Sequence, residues 1–156
     1  MATEYLSGGD ALNTKLEEIA HKMDAGAVEV GFDSEAKYPD GTLVALVAWW
    51  NEFGRQIKLK NGDTAFQPPR PFFRNMIAKD SPSWPDLLAK GLKYNNFDGR
   101  LTLKQVGDHI RGKLIQSINE LTSPALAEST VERKGFDKPL IDTKRMVDSP
   151  VVNLVD

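Results

Sequence analysis

The chain has 156 residues, of which 40% are hydrophobic and 27% are charged, and this composition excludes an intrinsically disordered protein. Its 20 Lys and Arg residues nearly balance 22 Asp and Glu residues, giving a net charge of -2, so no overall positive field is available to hold nucleic acid. The absence of cysteine excludes disulfides, thiolate metal sites and a cysteine nucleophile.

No segment has the length of a membrane-spanning helix. The longest strongly apolar run, residues 43–50, is far shorter than the roughly 20 residues that such a helix needs. Residues 1–5 have neither the basic nor the apolar region of a secretion signal. We therefore expect a single domain over residues 1–156, without membrane contact, in the cytoplasm of the cell that makes it until assembly.

The first predicted element is an amphipathic helix over residues 10–24. Ser7 or Asp10 can cap this helix, and Gly26 can end it. Its apolar residues recur at helical spacing: Leu12, Leu16, Ile19, Ala20 and Met23. Residues 27–32 then alternate between apolar and other side chains, which predicts a half-buried strand.

A turn and a second helix follow. Residues 38–41 (Tyr-Pro-Asp-Gly) predict the turn, because proline presets φ and glycine tolerates a positive φ. Residues 42–53 predict a helix that Thr42 caps and Gly54 ends. Because apolar residues lie nearly all around this helix, we predict that it is buried. Its large aromatic residues are predicted to be core anchors: Trp49, Trp50 and Phe53.

A projecting β-hairpin is predicted over residues 55–66. The Asn-Gly dipeptide at 61–62 favours a type I′ turn at its tip. Residues 67–71 (Gln-Pro-Pro-Arg-Pro) must be extended, since a residue before proline is displaced from the helical region. Pro71 can then begin a helix that runs through Ile77, because the first helical turn does not need its missing N–H.

The C-terminal half predicts two more helices and two short strands. Residues 81–85 interrupt the chain before a helix that ends near Tyr94, and residues 95–99 form a loop. A capping box formed by Thr102 and Gln105 then begins the clearest helix of the chain. Its apolar stripe is Leu103, Val106, Ile110, Leu114, Ile118 and Leu121. The composition beyond this helix predicts short strands near residues 130–134 and 150–155.

No residue pattern predicts a catalytic, cofactor or metal site. His21 and His109 lie on separate predicted helices, and neither has a second ligand at metal-binding spacing. Phosphate-binding glycine loops and nucleophile elbows are missing as well. Glu52 is the one carboxylate in an apolar segment, and we interpret it as an exposed or Arg-paired residue at a helix end rather than a catalytic acid. We therefore expect a protein without enzymatic activity, cofactor or metal.

The stretch from residue 55 to residue 79 is basic within a slightly acidic protein. Its cations are Arg55, Lys58, Lys60, Arg70, Arg74 and Lys79, against Asp63 alone. Contact with DNA, contact with an acidic neighbouring subunit and a solvated hairpin are all open interpretations. We interpret the interleaved Phe66, Phe72 and Phe73 as anchors of the proline-rich segment rather than platforms for stacked bases.

Three segments of the chain carry a resemblance to a known family. They are residues 38–42 running into 47–54, residues 67–74 and residues 139–143. In this order they resemble the phage tail-completion and neck proteins, which include virion-morphogenesis proteins and minor tail proteins of the Z type. In that group an Asn-Glu-Phe-Gly-like helix end precedes a variable loop, a Pro-Arg-Pro-Phe motif and a Pro-Leu-x-Asp-Thr-Gly motif. This chain has Lys144 in place of the last glycine, which predicts a more helical turn there.

The resemblance covers about residues 26–80 and 138–155. It implies an α+β fold in which amphipathic helices pack on a small, mostly antiparallel sheet. It also implies a structural subunit at the head-proximal end of a phage tail, located in the virion after assembly in the host cytoplasm. The implied partners are other copies of the chain in a ring, the tail tube or terminator, and the head connector. A hexameric ring is expected because phage tails are sixfold, and genome DNA would pass through it without specific binding.

Three alternatives stay open. One is a tail terminator or minor tail protein of the same virion. Another is a nucleic-acid-binding module that uses residues 55–79, for which affinity should fall steeply with salt. A hydrolase acting on cell walls or nucleic acid would need paired carboxylates or a metal site, and the sequence offers neither.

The mechanism expected of a ring subunit is geometric. A hairpin or sheet edge of one copy would pair with the next copy and leave no edge unpaired. The candidate interface residues lie in the hairpin and in the segment that follows it: Arg55, Ile57, Lys58, Lys60, Asn61, Gly62, Phe66, Arg70 and Arg74.

Overall fold

The computed structural model describes residues 8–124 and 144–156. Its helices are α1 (Gly9–Met23), α2 (Val44–Phe53), α3 (Phe72–Asp80), α4 (Trp84–Tyr94), α5 (Gly99–Glu120) and α6 (Arg145–Asp148). Its strands are β1 (Ala27–Phe32), β2 (Arg55–Lys58), β3 (Thr64–Gln67) and β4 (Pro150–Val155). The strand predicted near residues 130–134 and the motif at residues 139–143 lie outside the described residues.

The strands form two small antiparallel sheets, so the predicted α+β fold is confirmed. β1 pairs with β4 over six residues, from Ala27 opposite Val155 to Phe32 opposite Pro150. β2 pairs with β3 as the separate hairpin that the sequence predicts. The β1–β4 pairing joins segments near the two ends of the described chain, which no local signal in the sequence specifies.

The long helix α5 is the centre of the fold, as its apolar stripe predicts. Its buried face includes Ile110, Leu114 and Ile118. The complete core cluster is Val44, Ala48, Phe72, Met76, Ile110, Leu114, Ile118 and Met146. A Cβ at Gly107 would lie 2.5 Å from Val152 and 2.6 Å from Val28, so this glycine lets α5 approach the β1–β4 sheet closely.

Helix α5 does not begin with the predicted capping box of Thr102 and Gln105. Asp98 is the N-cap, and its side chain accepts a hydrogen bond from the Leu101 backbone N–H at 2.9 Å. Thr102, the predicted cap, is fully buried inside the helix, and its hydroxyl donates to the Asp98 carbonyl at 2.6 Å. An aspartate upstream therefore caps the helix, because its carboxylate satisfies an N–H of the first turn.

The predicted interruption at residues 81–85 is shorter than expected. α3 runs into a 3₁₀ turn at Ser81–Ser83, and α4 follows directly from Trp84. At the other end of α3, Pro71 precedes the first helical residue instead of being that residue. The Phe72 N–H donates to the Arg70 carbonyl at 2.8 Å across Pro71, which is a tight turn.

Helix α1 has the predicted position but different ends and surroundings. Gly8 precedes it in a left-handed conformation and Asp24 ends it, so neither Asp10 nor Gly26 is its cap. No residue of α1 is buried. The apolar stripe of an amphipathic helix normally faces the core, but in the described part of the chain Leu12, Leu16 and Met23 are exposed and Ile19 is half-buried.

The prediction that the helix over residues 42–53 is buried all around is wrong. Val44 and Ala48 are buried, whereas Trp49 is 60% exposed and Phe53 is 46% exposed. Leu43 is the N-cap in place of Thr42, whose backbone N–H donates to the Asp40 carboxylate at 2.9 Å. The helix has apolar residues on every side, and its neighbours in the described chain bury only some of them.

Lys144 adopts a left-handed conformation, with φ of 61° and ψ of -2°. Lys144 itself is therefore not helical, although α6 begins at the next residue, Arg145, and the Asp148 N–H donates to the Lys144 carbonyl at 3.0 Å. A positive φ is the region in which glycine is tolerated and other residues are strained. The backbone at this position thus has a geometry that glycine adopts without strain.

Candidate interaction surface

The two motifs of the resemblance that the structure describes pack against each other. We call this contact, between residues 51–54 and residues 67–74, the motif junction. The Asn51 carbonyl accepts a hydrogen bond from the Arg70 backbone N–H at 2.5 Å, and the Asn51 Oδ1 atom accepts one from Gln67 Nε2 at 3.1 Å. One asparagine thereby fixes both the start and the middle of the proline-rich segment.

Glu52 binds the N-terminus of α3. Its carboxylate accepts hydrogen bonds from the backbone N–H of Phe73 at 2.9 Å and of Arg74 at 3.1 Å. The Arg74 Nε atom donates to the same carboxylate at 2.7 Å. Helix N-terminal N–H groups lack partners within the helix and attract negative charge. Glu52 is therefore an Arg-paired residue, as interpreted from the sequence, and it also caps α3 from 21 residues away.

Gly54 closes the motif junction because no larger residue fits. It has φ of 77°, and a Cβ there would lie 2.7 Å from the Gln67 carbonyl oxygen and 3.0 Å from the Pro69 nitrogen. Both the positive φ and the backbone contact exclude a side chain. The Asn-Glu-Phe-Gly sequence thus ends α2 and positions the proline-rich segment beside it.

The hairpin projects from this junction through one anchoring arginine. The Arg55 guanidinium lies 3.7 Å from the ring centroid of Trp50, and its Nε atom donates to Gln67 Oε1 at 3.2 Å. Partial burial lowers the pKa of Arg55 from its usual value without removing its charge. These contacts hold the base of the hairpin, while most of its residues beyond the base are exposed.

The tip of the hairpin is not the type I′ turn that the sequence predicts. The Gly62 N–H donates to the Leu59 carbonyl at 3.0 Å, and Leu59 N–H donates to the Asp63 carbonyl at 2.8 Å. Gly62 has φ of 89°, but Asn61 does not have the positive φ that a type I′ turn requires at both central residues. The loop is therefore longer by a residue and ends in a bulge at Gly62, with Asn61 bonded to Asp63 instead.

Three cations of the basic stretch make contacts within the fold, and the other three are exposed lysines. Arg55 and Arg74 are engaged in the contacts above, and Arg70 is only 5% exposed. Arg70 donates to the Pro124 carbonyl at 3.3 Å, and burial lowers the pKa of its guanidinium. Lys58, Lys60 and Lys79 are exposed, and no ion pair holds them within the described parts of the chain.

The predicted interface residues therefore fall into two groups. Arg70 and Arg74 belong to the motif junction, and Arg55 holds the base of the hairpin beside it, so all three support the fold. The other candidates lie on the hairpin, where Ile57 is half-buried and the rest are exposed. These exposed hairpin residues are Lys58, Lys60, Asn61, Gly62 and Phe66. The structure brings the second group together at one projecting feature, and Phe66 is exposed there instead of anchoring the proline-rich segment.

An exposed apolar surface on α2, which sequence reasoning placed in the core, lies beside the motif junction. We call it the α2 face: Leu43, Leu46, Trp49 and Phe53. The Trp49 and Phe53 rings contact each other at a tilt of 44°, with centroids 4.2 Å apart, and the Arg74 guanidinium lies 5.0 Å from the Phe53 centroid. Exposed apolar patches with a polar border are typical of interaction sites. The sequence already indicated this surface, because a helix with apolar residues on every side needs neighbouring elements on every side to bury them.

Sequence reasoning also missed a polar link between α3 and α5. The Asp80 carboxylate accepts a hydrogen bond from Trp84 Nε1 at 2.8 Å and lies 3.1 Å from His109 Nε2. His109 also lines an open groove of about 410 Å³ with Leu87, Gly91 and Tyr94. His109 thus links α5 to Asp80 of α3, which lies 29 residues earlier in the chain.

The described residues contain no cluster of three His, Asp or Glu side chains that could hold a metal ion. Within the same ranges, no helix is long and apolar enough to cross a membrane. Comparison with known proteins returns no match: no protein-family model, no curated protein and no solved structure matches this chain.

Proposed function

We propose that this protein is a structural subunit of a tailed-phage virion, a tail-completion or neck protein that forms a ring at the head-proximal end of the tail. The observation that carries the proposal is the motif junction. The two resembling motifs that lie in the described residues flank the β2–β3 hairpin, and Asn51, Glu52 and Gly54 each contact the second motif directly.

The chemistry of the junction favours a scaffold over a reactive site. Glu52 is 5% exposed, and its carboxylate accepts hydrogen bonds from two backbone N–H groups and one arginine. Arg70 is equally buried. Charged groups held in this way orient chain segments, whereas a catalytic group needs access to a substrate. The exposed features that the scaffold presents are the hairpin and the α2 face, and both are suited to contact with another protein.

The basic stretch gives weaker support to the nucleic-acid alternative. Three of its six cations, Arg55, Arg70 and Arg74, make internal contacts. Affinity for a polyanion depends on the number of phosphates that cations can neutralise. The exposed lysines of the hairpin are better suited to the border of a protein interface, where charges steer the partner and set its orientation.

The experiment that tests the proposal is loss and restoration of the gene in the phage that carries it. We expect the deletion to yield DNA-filled heads and tails that are not joined, as seen by electron microscopy. A plasmid copy of the parent should restore joined particles, and mass spectrometry should detect the chain in them. Normal particles from the deletion would refute a structural role. Tails of abnormal length would favour the tail-terminator alternative instead.

Two plasmid variants, one control and one test, show whether the α2 face is needed for joining. A plasmid copy with Glu35→Ala changes an exposed carboxylate outside the junction and should restore particles fully. A copy with Trp49→Asp places a charge on the α2 face and should fold but fail to restore joining. Salt-sensitive binding of DNA by the purified parent, with normal particles from the deletion, would favour the nucleic-acid alternative.

A further inference from the structure

The tip of the β2–β3 hairpin carries the one Asn-Gly pair of the chain, Asn61 and Gly62. Each of the other asparagines precedes a residue with a side chain. Asn61 and Gly62 are both exposed, and a Cβ built on Gly62 would meet no atom of the described chain within 4 Å. The pair is therefore open to water, and no described residue crowds it.

An asparagine followed by glycine can react without an enzyme. The backbone nitrogen of the glycine attacks the side-chain carbonyl carbon of the asparagine, and the new C–N bond closes a five-membered imide ring. The side-chain nitrogen leaves as ammonia, taking up through water the proton that the attacking amide gives up. Water then adds to one of the two imide carbonyls and opens the ring to aspartate or isoaspartate. Glycine favours the attack because it has no Cβ to hinder it and its backbone turns readily.

Hydrogen bonds in the closed tip restrain both reacting groups. The Gly62 N–H, whose proton must leave before the nitrogen can attack, donates to the Leu59 carbonyl at 3.0 Å. The Asn61 side chain is held at both of its polar atoms by Asp63. Its Oδ1 atom accepts a hydrogen bond from the Asp63 backbone N–H at 3.1 Å, and its Nδ2 atom donates to the Asp63 carboxylate at 2.7 Å. A hydrogen bond to a charged acceptor is stronger than a neutral one.

The tip must open before Asn61 can react as an unrestrained asparagine does. A hydrogen-bonded N–H is protected from loss of its proton until the bond opens locally. Each strand of the hairpin has four residues, and most residues beyond its base are exposed. An isolated two-stranded hairpin is marginal in water. We therefore expect the tip to open far more readily than the core does.

The product of the reaction would differ from Asn61 in charge and in contacts. A carboxylate oxygen replaces the nitrogen that donates to Asp63, so two like charges take the place of a 2.7 Å hydrogen bond. Like charges at such a distance repel each other. The isoaspartate product also adds a methylene group to the backbone. Both changes would open the tip beside the exposed Lys60.

We propose that Asn61 is a site of spontaneous deamidation and that the Leu59 and Asp63 contacts of the closed tip control its rate. The reaction is a property of the isolated chain. Its effect on assembly rests on the proposed function, in which the hairpin is one of the surfaces that meet a neighbouring subunit. A protomer that reacts before assembly presents an altered hairpin to that neighbour.

Mass spectrometry of the purified chain tests the site. The folded parent is kept in a mildly alkaline buffer, and samples are digested with pepsin in acid, where the reaction is slow. We expect the peptide containing Asn61 to gain the mass of deamidation on the order of tenfold faster than the peptide containing Asn119, an exposed asparagine that precedes Glu120. In Asn61→Gln the mass gain of this peptide should disappear, because attack on the longer side chain closes a larger ring.

The variant Asp63→Ala tests the control by the tip. It removes the charged acceptor of the Asn61 side chain, and loss of such a bond raises the open population of the tip. We expect Asn61 to react on the order of fivefold faster in this variant than in the parent. Thr64→Ala, which changes an exposed residue of the same hairpin, is the matched control and should react at the rate of the parent. Circular dichroism checks that each variant folds.

Three results would overturn the inference. A mass gain at Asn61 no faster than at Asn119 would show that the tip is not a deamidation site. Equal rates in the parent and Asp63→Ala would show that the closed tip does not control the reaction. A slower reaction in Asp63→Ala would show that the carboxylate assists the attack instead of restraining it.

The outcomes for the site and for the virion are separable. Deamidation of a purified chain that is absent from virions would refute the proposed function and leave the site standing. A chain present in virions whose Asn61 is stable would refute the site and leave the function. The complementation assay measures the effect on assembly, and Asn61→Asp, the aspartate product, should restore fewer joined particles than Asn61→Gln. Equal numbers would refute that effect.

Discussion

The Glu52 carboxylate and the Arg74 guanidinium form an ion pair, 2.7 Å between Oε1 and Nε, that joins the end of α2 to the first turn of α3. A second guanidinium nitrogen of Arg74 donates to the Glu52 backbone carbonyl at 2.9 Å. The Glu52 side chain is buried while that of Arg74 is about half exposed. The pair thus connects the interior of the motif junction with the border of the α2 face.

Loss of the Glu52 carboxylate should destabilise the protein more than loss of an exposed one. We expect Glu52→Ala to lower the free energy of unfolding by about 2–3 kcal/mol, because hydrogen bonds to a charged group contribute about 1.5–3 kcal/mol and two N–H groups of α3 lose their acceptor. Urea unfolding measures the change. Glu52→Gln, which keeps one acceptor oxygen, should lose about half as much, and exposed Glu35→Ala should change it by less than about 0.5 kcal/mol. Equal effects of Glu52→Ala and Glu35→Ala would contradict a structural role for the carboxylate.

Truncation on the α2 face should be tolerated by the monomer. We expect Trp49→Ala to cost at most about 1.5 kcal/mol, the range of an aromatic pair contact, since the ring is mostly exposed. Phe72→Ala is the matched control in the core and should cost about 3–5 kcal/mol, because Phe72 is 1% exposed. Thermal and urea unfolding of the two variants give the comparison. A loss for Trp49→Ala as large as that for Phe72→Ala would place Trp49 in the core.

Replacement of Lys144 by glycine should stabilise the protein. A left-handed backbone costs a residue with a side chain about 1–2 kcal/mol, and the greater flexibility of unfolded glycine offsets about 0.5–1 kcal/mol of that gain. We therefore expect Lys144→Gly to raise the free energy of unfolding by about 0.5–1 kcal/mol. Arg145→Gly, next to it but helical, should lower the free energy by about 0.5–1 kcal/mol. If both variants melt below the parent, the left-handed geometry of Lys144 is not strained.

Removal of the hairpin should separate folding from assembly. We expect deletion of residues 57–65, closed with two glycines, to change the unfolding free energy of the monomer by less than about 1 kcal/mol, because a two-stranded hairpin adds little stability alone. The same deletion should abolish head–tail joining in the complementation assay. Lys58→Ser with Lys60→Ser keeps the hairpin and removes two exposed charges, so it tests charge alone. Joined particles from the deletion would refute the assembly role, and collapse of monomer stability would show that the hairpin supports the core.

Local patterns predicted most of the elements in the described chain. The stripe from Val106 to Ile118 predicted the buried side of α5, because residues at helical spacing share one face. The alternation in residues 27–32 likewise predicted β1. The Asn-Gly pair predicted the turn region between β2 and β3. Each of these patterns depends on residues within one helical turn or one strand, so it can be recognised from the sequence alone.

Partners across the fold were not predictable in this way. Glu52 meets the N-terminus of α3, and Asp80 meets His109, only after the intervening segments have folded. The same limit explains the errors at α1 and α2. Periodicity identifies which residues of a helix share a side, but not whether another element covers that side.

The sequence by itself determined the type and approximate bounds of most helices and strands, and it supplied the motifs that suggest a virion protein. Only the tertiary structure decided that the two motifs in the described chain form one junction and that Trp49 and Phe53 face outward. The physical reason is the range of the forces involved. Helical spacing and turn chemistry depend on residues a few positions apart, whereas burial depends on which distant segments occupy the space beside a side chain.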